Sequence, residues 1–157
     1  MGTGLLSDER TGMDNLFAYG TLMCDDIMQE ISGHQLSCVP GVLNGYARRC
    51  VKGECYPAVV PGKKGRVKGI VYLNVPDTAW ERLDRFEGEM YARQIVLIEL
   101  CDGTTLPAVT YVLLPKFLDQ LDHYDWDFAG FCCNGKTGFM HQMKSEQDHY
   151  KKTMYQS

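Results

Sequence analysis

The chain predicts an α+β fold, and three observations predict it. Strand signals dominate its middle, helical signals are few and set apart, and glycines interrupt the strand runs. Roughly four to six strands with two or three separated helices do not make the regular alternation of a parallel sheet. Gly-bent strands suit a small curved sheet or barrel instead. Taken in order, residues 1–13 mix polar and small residues without a period and read as a flexible N-terminal tail. Leu16-Phe17-Ala18-Tyr19 is a short apolar run stopped by Gly20, a buried strand entering a turn. Thr21 to Ile31 predicts one helix. Val39 to Arg49 carries Pro40, Gly41 and Gly45 among apolar residues, which predicts a bent or bulged strand. Val67 to Val75 is strand-like. Asp77 to Phe86 predicts a helix, with Asp77 as N-cap after Pro76 and Gly88 to end it. Ala92–Leu100 and Leu106–Leu114 predict a hairpin turned by Asp102-Gly103. The economical division is one domain over 14–138, followed by a polar C-terminal tail or short helix over 139–157.

Composition narrows the function. The 157 residues are 45% hydrophobic and include two Trp, nine Tyr and six Phe, enough to bury a core. A net charge of −4 argues against a general nucleic-acid binder, whose affinity comes from basic clusters meeting phosphates. No nucleic-acid partner is expected. Seven cysteines stand at 24, 38, 50, 55, 101, 132 and 133 without a Cys-x-x-Cys pair. They read as reduced thiols packed like small apolar residues, in a cytoplasmic protein. No apolar run approaches the ~18–20 residues of a membrane span. The Met1-Gly2 start also fails as an acylation signal, because Leu6 stands where Ser or Thr is needed. No membrane partner is expected.

Two places carry the pattern of a site. At Tyr19-Gly20-Thr21-Leu22 a strand ends, a glycine turns the chain and a helix follows. Unpaired N–H groups there, with a helix dipole behind them, suit a carboxylate as well as a phosphate. The Gly-x-x-x-x-Gly-Lys spacing of a nucleotide loop is absent. An ordinary strand–turn–helix with Thr21 as N-cap explains the same residues.

The second place is Glu87. Trp80, Leu83 and Glu87 fall on one helical stripe, so the carboxyl shares the apolar face. Lost hydration, the negative end of the helix dipole, and the neighbours Asp84 and Glu89 all raise its pKa. A carboxylate so raised suits a general base that later acts as an acid. The plain alternative is a partly exposed Glu closing a surface helix.

Other signals are weaker. His34, Cys38 and Cys24 lack the paired spacing of a zinc site, so no metal is expected. Cys55 has no histidine placed beside it and reads as a buried thiol. Lys63, Lys64, Arg66 and Lys68 read as a solvated hairpin tip. Trp126, Phe128 and Phe131 read as core aromatics.

Several of these pieces resemble, in order, the gamma-glutamylcyclotransferase-like family, and its AIG2-like subgroup in particular. They are Phe17-Ala18-Tyr19-Gly20-Thr21-Leu22, Tyr56 to Pro61, Val67 to Tyr72, Leu83-Asp84-Arg85-Phe86-Glu87-Gly88, Tyr91-Ala92-Arg93 and the late Trp126-Asp127-Phe128. The resemblance covers roughly residues 15 to 131. It implies a small mixed β-barrel with flanking helices. It implies further that Tyr19, Gly20, Thr21 and Leu22 hold the α-carboxylate end of a gamma-glutamyl substrate and that Glu87 is catalytic. Tyr91 and Arg93 match a later block with a supporting role at the substrate. The implied reaction converts a gamma-glutamyl amino acid or amine to 5-oxoproline and a free amine, with no cofactor. Fold resemblance alone does not secure function, and a fold relative that only binds a small ligand or a partner stands as the alternative.

Overall fold

The computed structural model describes residues 14–156, with side chains described from 14 to 146. The expected N-terminal tail, 1–13, lies outside the described residues. Contacts gather the chain into two units, one ending at Trp126 and the other beginning at Asp127.

The first unit is a closed five-stranded barrel. Its strands are β1 (Leu16–Ala18), β2 (Cys38–Cys50), β3 (Pro57–Tyr72), β4 (Tyr91–Glu99) and β5 (Thr105–Leu113), in the spatial order β1-β3-β2-β4-β5. β1 pairs antiparallel with β3 and closes the barrel by a parallel contact with β5, Leu16 opposite Val109. Phe17, Tyr19, Leu43, Val59, Val71, Ile98 and Ala108 meet in one buried cluster. The alternate residues of β1, Leu16 and Ala18, point to its other face and are buried as well. The buried Thr110 hydroxyl donates to the Phe17 carbonyl at 2.9 Å, so β5 fixes β1 by side chain too.

The expected bend in β2 is a bulge. Register shifts between Asn44 and Tyr46, around Gly45 at φ 85°. On the opposite strand Pro61 faces Tyr46 and Arg66 faces Asn44, so residues 62–65 are looped out of register. Lys63, Lys64, Arg66 and Lys68 are exposed as expected, but they lie within β3 and not at a hairpin tip. The β2–β3 turn is the 51–56 stretch, whose own charges are Lys52 and Glu54. Proline and glycine punctuation hid a single long strand whose pairing comes from β2.

β3 must also pass close under β1. A Cβ on Gly69 would run into the Ala18 carbonyl oxygen and lie 2.7 Å from the Phe17 ring. Backbone cannot yield as a flexible side chain does. Gly69→Ala is expected to destabilise by about 1–3 kcal/mol, read as a lower urea midpoint at unchanged slope.

Helix α1 (Asp25–Ser32) buries Ile27, Met28 and Ile31, and ends at Gly33 with φ 80°. Helix α2 (Asp77–Glu87) buries Ala79, Trp80 and Leu83. The two helices pack on each other. Pro76, not Asp77, holds the N-cap position of α2, because its extended backbone precedes the first helical residue. Gly88, at φ 82°, closes α2 as expected, its N–H donating to the Asp84 carbonyl at 3.0 Å. In the β4–β5 hairpin Gly103 takes φ 87° and Asp102 accepts from the Thr104 N–H and hydroxyl.

The second unit is helical. It runs through Phe128–Gly130 and a π-helical turn, Phe131–Gly135, into α3 (Lys136–Gln156). Of the stretch expected as a tail or short helix, residues 139–156 lie in a helix of 21 residues.

Candidate active site

The glycine turn is built as follows. After β1, Tyr19 stays buried and the chain enters a one-turn 3-10 helix, Thr21–Met23. Met23 N–H donates to the Gly20 carbonyl at 2.9 Å and Cys24 N–H to Thr21 at 3.1 Å. The N–H groups of Thr21 and Leu22 open that turn and have no acceptor among the described residues. Gly20 is required by contact: a Cβ there would sit 2.8 Å from Pro57 Cδ and 2.9 Å from Cγ.

Two expectations change here. No helix runs unbroken from Thr21 to Ile31, because Cys24 is extended (ψ 117°) and α1 starts at Asp25. Thr21 is not an N-cap either; Gly20 holds that position and no side chain caps the turn. The dipole of α1 consequently does not act on Gly20–Leu22 as expected. Asp25 and Asp26 occupy its first turn, and Asp26 accepts from the Ile27 N–H at 3.0 Å.

A cation stands behind the turn instead. Arg48 Nη1 donates to the Tyr19 carbonyl at 2.8 Å, and its Nε pairs with Asp125 at 2.8 Å. The guanidinium lies 5.6 Å from the centre of the buried Trp126 ring. Trp126 Nε1 donates to the Cys55 carbonyl at 2.8 Å and so fastens the β2–β3 turn.

Glu87 ends α2 on the stripe of Trp80 and Leu83, as the spacing predicts. Its carboxyl is pushed up to about 8, by loss of solvent first and by the Asp84 charge second. No hydrogen bond or ion pair reaches it among the described residues. Four tyrosines feel its charge: Tyr19, Tyr56, Tyr91 and Tyr111 all titrate above their ordinary value, burial being the largest cause and Glu87 a further one. Each phenol donates elsewhere. Tyr19 gives to the Tyr111 carbonyl at 2.6 Å and Tyr91 to the Pro57 carbonyl at 3.0 Å. Tyr56 gives to Glu54 at 2.8 Å and Tyr111 to Asp84 at 2.7 Å. Phenol oxygens and rings of this kind suit an ammonium group.

The structure therefore brings Tyr19 and Tyr91 into the surroundings of Glu87. Arg93 is placed differently. Its Nη2 pairs with Asp84 at 2.8 Å and its guanidinium lies over Trp80 at 5.3 Å. Sequence reasoning missed Arg48 and Tyr111. Both are single residues inside strands with no local motif, and only barrel closure brings them to the site. Among the described residues no three His, Cys, Asp or Glu side chains gather to hold a metal ion. The expected burial of the cysteines holds for Cys24 alone. Cys50 is half-buried, and Cys38, Cys55, Cys101, Cys132 and Cys133 are exposed, because they stand in turns, strand starts and helix surface.

A closed five-stranded barrel with flanking helices, a glycine turn after its first strand and a half-buried glutamate ending its second helix is a gamma-glutamyl cyclotransferase-like fold. A solved structure titled gamma-glutamyl cyclotransferase shares this fold, with a TM-score of 0.57 at 15% identity over 64% of this chain and 66% of that one. The family model described as "Gamma-glutamyl cyclotransferase, AIG2-like" matches residues 16–128, and the chain belongs to that family. AIG2-like protein D of Arabidopsis thaliana is 33% identical over 135 residues, covering 84% of this chain and 88% of that protein. A solution structure of another Arabidopsis thaliana protein matches with a TM-score of 0.65 and 27% identity, covering 88% of this chain and 84% of its own.

Proposed function

We propose that the protein is a cyclotransferase that releases 5-oxoproline from a gamma-glutamyl amino acid or amine in the cytoplasm. The observation that carries this reading is Glu87, a carboxyl held near 8 among four phenols that donate elsewhere. The substrate's α-carboxylate is gripped by the Gly20–Leu22 turn, where the Thr21 and Leu22 N–H groups have no acceptor among the described residues and Arg48, paired with Asp125, braces the Tyr19 carbonyl behind. Its α-ammonium meets Glu87 and the phenol oxygens, with Tyr91 beside them. Holding both ends folds the glutamyl chain so that nitrogen faces the γ-carbonyl, which supplies the proximity advantage.

Glu87 takes a proton from the α-ammonium, and the freed nitrogen attacks the γ-carbonyl carbon. The new C–N bond closes a five-membered ring as the bond to the leaving amine breaks. Glu87 returns that proton to the leaving nitrogen, and the second proton, shed by the ring nitrogen as it becomes an amide, follows the same route, so that the amine departs as an ammonium. Atoms and charge balance without any further reactant. A pKa near neutrality suits a group that must both accept and return a proton. Incubation with a panel of gamma-glutamyl amino acids, gamma-glutamyl amines and glutathione, with 5-oxoproline assayed, tests the proposal. At least one panel member is expected to turn over. No product from any member, with a gamma-glutamyl compound still bound, would make the protein a binding module.

A further inference from the structure

Asp84 stands one turn before Glu87 on α2, and the proposed reaction gives it no task. Its two oxygens are nevertheless held from two different strands. Oδ1 accepts from the Tyr111 hydroxyl of β5 at 2.7 Å, and Oδ2 accepts from Arg93 Nη2 of β4 at 2.8 Å. Tyr111 is also where the glycine turn is anchored, since its carbonyl accepts from the Tyr19 hydroxyl at 2.6 Å. A continuous chain of bonds thus runs from Tyr19 through Tyr111 to Asp84, joining the two halves of the site. Arg93 is steadied in turn by the Trp80 ring, on the same helix as Asp84.

We infer that Asp84 is a positioning residue of this site: pinned by Tyr111 and Arg93, it docks the last turn of α2 on the barrel and keeps a fixed negative charge beside Glu87. This rests on the reading of Glu87 as the proton-transfer group. An ion pair half exposed to water, as this one is, adds little stability by itself. What distinguishes it is convergence, with two directed bonds from separate strands setting where one helix end sits. The groups facing Glu87 from the other elements are Tyr19 just after β1, Tyr56 ahead of β3, Tyr91 of β4 and Tyr111 of β5. All four are neutral phenols near pH 7. Glu54 acts on Tyr56 and Tyr91, and Arg48 acts on Tyr19. Asp84 is the charge that acts on Glu87 itself.

The test reads Glu87 directly, by carbon-13 NMR titration of its carboxyl in the folded, substrate-free protein. Asp84→Asn can still accept from Tyr111 but has no charge, and is expected to move the Glu87 midpoint to lower pH by about half a unit or more. Arg93→Gln leaves Asp84 charged and less neutralised, on an exposed residue whose replacement the fold tolerates, and is expected to move the midpoint the other way. The pH profile of kcat should follow the same two directions. A purely structural Asp84 would lower activity and leave the midpoint in place. Midpoints unchanged in both variants, or displaced in the same direction, would overturn the inference. Opposite displacements in a protein whose Glu87→Gln variant still releases 5-oxoproline would uphold Asp84 and remove the proposed reaction.

Discussion

Glu87→Gln is expected to cut 5-oxoproline release by about 100- to 10,000-fold, the usual loss when a positioned proton-transfer group is removed. The same change should make the protein more stable at about pH 8. Glu87 titrates near 8 in the folded chain and near 4.5 as an unperturbed carboxyl. Because the folded value is raised, its contribution is fully favourable below the unfolded value and is lost as pH rises through the folded one. Above about pH 8 the wild type must hold a desolvated carboxylate, at a cost of roughly 2–4 kcal/mol. Glutamine does not ionise and escapes that cost. Thermal melts of the two proteins should therefore coincide near about pH 4.5 and separate progressively toward about pH 8, glutamine melting higher. A glutamine variant that melts lower at the alkaline end would mean that the carboxylate is well solvated.

Gly20→Ala carries the second large effect. The added Cβ meets the rigid Pro57 ring at 2.8 Å, so either the turn or the start of β3 must move. Pro57 also accepts from the Tyr91 hydroxyl, which ties its displacement to the surroundings of Glu87. The expected cost is about 1–3 kcal/mol of stability. The turn's N–H groups are displaced with it, so KM for a gamma-glutamyl substrate should rise by about tenfold or more. Unchanged KM in a variant with lowered stability would take the carboxylate grip away from this turn.

Much of this site was legible because two of its parts are local. An apolar run stopped by Gly20 reads as strand and turn, and the Trp80–Leu83–Glu87 spacing reads as a helix bringing a carboxyl to an apolar face. What the residues did not disclose depends on partners distant in sequence. Arg48 reaches the Tyr19 carbonyl only because β2 bends at Gly45, and Tyr111 meets both Tyr19 and Asp84 only because β1 and β5 close the barrel. The full length of β3 was hidden for a similar reason. Pro57, Pro61, Gly62 and Gly65 look like breaks locally, while the ladder with β2 holds β3 on both sides of the unpaired 62–65 stretch. The cysteines misled in the other direction, since their residue type favours burial while most of their positions lie at turns and on helix surface.

In the proposed reaction one carboxyl, Glu87, moves the protons that let a gamma-glutamyl chain close on itself. Single-turnover release of 5-oxoproline, measured side by side for the wild type and Glu87→Gln with a substrate bound by both, tests it most directly. One equivalent of 5-oxoproline is expected from the wild type and almost none from the glutamine variant in the same time. Equal release from the two proteins would contradict it.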